Sequence, residues 1–111
     1  MTEIIPFSKS SHPSGFTNAQ FKQLDGLYLQ AAAEKVLNYR AVDCDFDEGL
    51  ATYTYYRAEK FKPYLQFVIR RVGPRTTMYE VYLEGKGRIA KSGIFQRAYE
   101  KLHAEIMTLM D

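Results

Sequence analysis

Cysteine is almost absent from this chain: Cys44 is the only one among 111 residues, so no intrachain disulfide can form. The first fifteen residues, MTEIIPFSKSSHPSG, carry Glu3 and no apolar run long enough for a secretory signal. Together these absences fit a reducing compartment, and a cytoplasmic location is expected. Nowhere do about 18 apolar residues follow one another, the length a spanning helix needs, so no membrane association is expected.

Histidine is nearly as scarce. His12 falls in the N-terminal stretch and His103 late in the chain, with no His-Glu-x-x-His spacing and no Cys/His cluster to hold zinc. Asp43, Asp45 and Asp47 have the acidic spacing that opens a calcium loop. That loop also needs glycine at its sixth position and glutamate at its twelfth, and this chain has Glu48 and Thr54 there. Gly85-Lys86-Gly87 is too short for a phosphate loop and reads as a tight turn. Cys44 reads as a small buried hydrophobe, and no serine or cysteine has a placed base to activate it. Enzymatic activity and a small-molecule cofactor are therefore not expected.

What is present is an ordinary globular composition, 46% hydrophobic and 25% charged, at the length of one domain. The formal net charge is only +2, but it is unevenly laid out. Residues 1–56 carry four Lys/Arg against seven acids, whereas residues 57–101 carry eleven against four. Such asymmetry allows an acidic partner, nucleic acid included, through residues 57–101.

Residues 1–15 show no hydrophobic period and read as a flexible tail, leaving 16–111 as a single domain. Thr17-x-x-Gln20 is a capping box, followed by Phe21, Leu24, Tyr28, Ala32 and Val36 at helical spacing, which predicts a helix over about 17–38. The period then becomes two. Val42, Cys44 and Phe46 alternate with aspartates, and Glu48-Gly49 suits a two-residue turn into Leu50–Arg57. That turn would set Phe46 opposite Ala51, Cys44 opposite Tyr53 and Val42 opposite Tyr55.

Further strands are expected over Tyr64–Val72, Thr77–Glu84 and Arg88–Lys91, separated by Gly73-Pro74-Arg75 and Gly85-Lys86-Gly87. Leu65, Phe67, Ile69, Tyr79, Val81 and Leu83 form the inward set. The register around 57–64 stays open, since a one-residue slip would carry Tyr64 and Arg70 inward. Ser92 is read as the cap of a last helix bearing Phe95, Ala98, Leu102 and Ile106 on one stripe. The fold class is α+β, an antiparallel β-meander of about five strands with both terminal helices packed on one face.

Such an arrangement leaves the other face of the sheet open. Tyr56, Tyr64, Val68, Met78 and Tyr82 are expected there, more apolar area than a solvated face needs. Arg70, Arg71, Arg75, Lys86, Arg88 and Lys91 are expected to form a basic rim at one end. Tyrosine and methionine are enriched where proteins meet proteins, so a protein-interaction module, adaptor, inhibitor or self-associating accessory protein, is the leading expectation. Tyrosines beside arginines also describe a stacking platform for single-stranded nucleic acid, which is the alternative.

Overall fold

A computed structural model describes residues 16–58 and 62–111 of the chain. Seven elements follow one another: α1 (Asn18–Ala33), β1 (Tyr39–Asp45), β2 (Leu50–Tyr56), β3 (Pro63–Gly73), β4 (Thr76–Leu83), β5 (Gly87–Ser92) and α2 (Phe95–Met110). The strands form one antiparallel sheet in the order β1-β2-β3-β4-β5, so the expected meander is the observed topology. The tail expected over 1–15 lies outside the described residues.

The start of α1 follows the sequence closely. Gln20 N–H donates to the Thr17 hydroxyl at 3.0 Å, and the Gln20 side chain accepts from Thr17 N–H at 3.1 Å. Ahead of this box, Phe16 is buried and meets Phe21 at 6.5 Å between ring centroids. The pair is a hydrophobic staple that sets the angle at which the chain enters the helix.

The helix stops at Ala33, earlier than its apolar spacing predicts. Lys35 adopts a left-handed φ of 63°. Val36 N–H donates back to Ala31 carbonyl and Lys35 N–H to Ala32 carbonyl. This is a Schellman ending, with lysine where glycine is usual. Val36 then packs against the core and Leu37 is fully buried, so residues that look like another helical turn are the hydrophobic seal after it.

The β1–β2 register departs from expectation by two residues. Asp45 pairs with Leu50, Cys44 with Ala51, Val42 with Tyr53 and Arg40 with Tyr55. The connection is therefore the four-residue turn 46–49. Glu48 N–H donates to the Asp45 carboxylate at 3.1 Å, and Gly49 sits at φ 66°. A slip of two keeps every side chain on its face, because the strand period is two. It does push Phe46 out of the sheet into the turn, 49% exposed, and brings Arg40 opposite Tyr55.

Both helices lie on the same face. Leu24, Leu27 and Ala31 of α1 and Ala98, Leu102 and Ile106 of α2 close over Tyr53, Tyr55, Leu65, Phe67 and Val81. Each fully buried leucine, isoleucine, valine or phenylalanine here contributes roughly 1.5–3 kcal/mol relative to exposure, so this layer outweighs any surface ion pair. Phe95 is wedged between Phe67 at 5.3 Å and Tyr79 at 5.6 Å, which seats the first turn of α2. Ser92 does not cap α2. It ends β5 and accepts from Ile94 N–H at 3.0 Å, and Ile94 holds the cap position without a side-chain bond.

Candidate functional site

No helix covers the second face of the sheet among the described residues. Its rows follow from the register. Ala41, Thr54, Gln66, Tyr82 and Arg88 lie side by side across the five strands. The next row is Asp43, Thr52, Val68, Glu80 and Lys91. Beyond it come Asp45, Leu50, Arg70 and Met78.

The centre of this face is built around a buried carboxylate. The Glu80 side chain is only 4% exposed. It accepts from Tyr82 hydroxyl at 2.9 Å, from Arg70 Nη2 at 3.2 Å and from Arg88 Nη1 at 3.5 Å. Burial by itself would raise its pKa. The hydrogen bonds from Tyr82 and Arg70 and the charges of Arg70 and Arg88 outweigh that and hold the carboxyl below its ordinary value. The same bond to Glu80 raises the Arg70 pKa. Alternation alone places Glu80 outward; nothing local shows three donors converging on it, since they come from three different strands.

Around this centre the face is mixed. Val68 is buried beneath its neighbours, while Tyr56, Met78 and Tyr82 are half-buried. Gln66 donates to the Thr54 hydroxyl at 3.3 Å, and Tyr39 meets Tyr56 edge-on at 5.3 Å. Some of the tyrosine surface is thus spent on lateral packing within the sheet.

Tyr64 stands apart from the others. The β2–β3 register shifts between Tyr55 and Tyr56, which pair with Leu65 and Pro63, so Tyr64 is an extra residue of β3. Tyr64 consequently sits at the end of the sheet, packed against the core, with Arg57 over its ring at 5.4 Å. It lines a cleft of about 480 Å³ with Lys35, Val36, Asn38, Arg57 and Lys62. Lys62 is paired to Glu84 across that cleft at 3.4 Å.

The six basic residues do not gather at one end. Arg71 and Arg75 belong to the β3–β4 hairpin, and Lys86 to the β4–β5 turn at the opposite end of β4. A strand of this length, about 3.3 Å per residue, separates the two groups by roughly 25 Å. Arg71 is on the helix-side parity and donates to the carbonyls of Gly73 and Pro74, which ties it into its own turn. Arg70 and Arg88 are bound to Glu80, and Lys91 is exposed on the edge strand.

A second polar constellation lies on the helix side, with no signal in the local sequence. Arg40 Nε pairs with Asp25 of α1 at 2.9 Å, and the Tyr53 hydroxyl donates to the same carboxylate. Arg40 also lies over the Tyr28 ring, and the Tyr55 hydroxyl donates to Leu24 carbonyl at 2.9 Å. Burial first, and then the Asp25 carboxylate, push the Tyr53 pKa far above the ordinary tyrosine range; burial does the same to Tyr55. These contacts tether α1 to β1 and β2.

No family model, curated protein or solved structure matches this chain. Among the described residues no three His, Cys, Asp or Glu side chains are grouped to hold a metal, and no helix is long and apolar enough to cross a membrane. The Cys44 thiol is half-buried, and burial followed by the Asp43 charge raises its pKa, the opposite of what an activated nucleophile needs.

Proposed function

We propose that this chain is a non-enzymatic protein-interaction module that binds its partner on the open face of the sheet. The observation that carries the reading is the one-sided cover: both helices pack on one face, and the other presents Tyr56, Met78 and Tyr82 half-exposed around a rigid centre. Four strand-to-strand ladders and the Glu80 network hold that surface in one shape before any partner arrives. A preorganised face loses little side-chain entropy on binding, which favours affinity from a modest area.

The nucleic-acid reading keeps one specific support, the exposed Arg75, Lys86 and Lys91, which make no ion pair among the described residues. It is the weaker reading because Arg70 and Arg88 both face Glu80, whose single charge offsets one of theirs, and the remaining cations are dispersed. Fluorescence anisotropy of labelled single-stranded RNA and DNA at two salt concentrations separates the two. A protein-interaction module gives no titratable signal at low salt, while Tyr82→Ser with Met78→Ser abolishes capture of its protein partners from extract. Steeply salt-dependent binding of RNA or DNA, weakened by Lys86→Ala and Lys91→Ala, would overturn the reading.

A further inference from the structure

The charges on the open face are sorted across the strands. Asp43 and Asp45 stand on β1, at one edge, both exposed. The outward residues of β2 are Leu50, Thr52, Thr54 and Tyr56, without charge. In the middle, Arg70 of β3 and Glu80 of β4 neutralise each other. Arg88 and Lys91 stand on β5, at the opposite edge, both exposed. Asp43 and Lys91 make no ion pair among the described residues, and the Arg88–Glu80 contact is the longest in its network at 3.5 Å. The face is acidic along one edge and basic along the other.

A face with that layout is complementary to itself in one orientation. Two copies can stack face to face about a two-fold axis lying in the interface and parallel to the strands, or about one perpendicular to them. The perpendicular axis sets β1 on β1 and β5 on β5, like charge against like. The parallel axis passes along β3 and sets β1 of each copy over β5 of the other. We propose that the open face binds a second copy of this chain in this second arrangement, Asp43 of each copy meeting Lys91 of the other.

The row order supports the same placement. With β3 on the axis, the half-buried Leu50 on β2 of each copy falls over the half-buried Met78 on β4 of the other. Thr52 falls over Glu80 and Thr54 over Tyr82, positions already closed by side-chain bonds within each copy, so the edge charges set the orientation. Arg70 lies near its own symmetry mate, and Glu80 compensates its charge within each copy. Five strands about 4.8 Å apart and some seven residues long at about 3.3 Å give a face on the order of 500 Å². That is below the ~800 Å² per partner of a standard stable interface, so the dimer forms reversibly with concentration and weakens as salt is added. The inference deepens the open-face reading and stands on it.

Sedimentation equilibrium of the whole chain, from about 1 to 500 μM at 50 mM and 500 mM salt, tests it. The wild type associates to a dimer, more weakly at high salt. Asp43→Lys and Lys91→Glu each raise the dissociation constant about tenfold or more, since symmetry turns one substitution into two like-charge contacts. The two variants mixed one to one, and the double variant Asp43→Lys with Lys91→Glu in one chain, regain wild-type association. Circular dichroism melts of each variant confirm that the fold is kept. A wild type that stays monomeric throughout overturns the inference, as does a dimer indifferent to both substitutions. The open-face reading itself is judged separately, by whether Tyr82→Ser with Met78→Ser abolishes capture of other proteins by the monomer.

Discussion

Glu80 shows what one residue can decide on an open sheet face. Alternation points it away from the core, yet Tyr82, Arg70 and Arg88 close over it until it is as buried as a core residue. Removing the carboxylate leaves a hydroxyl and two guanidinium groups without their acceptor. Because both arginines are more than 40% exposed, water repairs part of the loss. Glu80→Ala is therefore expected to destabilise by about 1–2 kcal/mol, toward the lower end of what bonds to charged groups contribute, as read from urea unfolding. Its pH dependence has a definite sign. The folded pKa lies below the unfolded value, so the contribution is present above the unfolded pKa, near 4.3, and is lost as pH falls through the folded one. Glu80→Gln flattens that acid limb of the stability curve; an unchanged limb would show that the network carries no stability.

At the scale of the element, the end of α1 holds a conformational cost that the sequence does not advertise. Lys35 carries a side chain at φ 63°, a region where only glycine is free of a Cβ clash. The seal that follows, half-buried Val36 and fully buried Leu37, keeps the helix from running on. Lys35→Gly relieves the clash but gives the unfolded chain more freedom. The expected net effect is a gain of up to about 1 kcal/mol, measured as a rise in the thermal midpoint. Had the helix continued to residue 38, as its spacing suggests, the same substitution would cost about 1 kcal/mol, so the sign discriminates. The β1–β2 turn is the companion case. Glycine is required at position 49 because of its positive φ and because a Cβ there would stand 3.0 Å from the Arg71 Cβ.

Over the whole molecule, α1 is held to the sheet by tyrosines that reach across as well as by apolar contact. Tyr53 and Tyr55 are fully buried up to hydroxyls that donate to Asp25 and to Leu24 carbonyl. Their folded pKa values stand above the ordinary tyrosine value near 10, so their contribution is complete below that pH and is lost as pH rises toward the folded values. Alkaline unfolding should begin above about pH 10. The tyrosine absorbance step from these two rings should coincide with the loss of near-ultraviolet dichroism. In Tyr55→Phe the onset moves to higher pH, while stability at pH 7 falls by about 1 kcal/mol for the lost hydrogen bond. Asp25→Ala costs more, about 1–3 kcal/mol, because it strands a buried hydroxyl and frees Arg40 at once.

Element types and the inward sets of β1 to β4 were legible in the chain itself, because a period of two or of about 3.6 is a local property that burial must respect. Leu65, Phe67, Ile69, Val81 and Leu83 point to the helices as their alternation says, and the capping box at Thr17 opens α1 where its residues place it. The open face, with Val68, Met78 and Tyr82 on it, was legible for the same reason. What only the tertiary structure decided is whatever depends on which distant residues meet. The two-residue shift between β1 and β2 is invisible to alternation, since either register buries the same face, yet it determines that Arg40 reaches Asp25. Tyr64 is itself the extra residue of β3 beside Tyr56 and packs against the core, and the hairpin lengths put Arg75 and Lys86 at opposite ends of β4. Three donors converge on Glu80 only when β3, β4 and β5 lie side by side. Periodicity is written along the chain, but a partner is chosen across it.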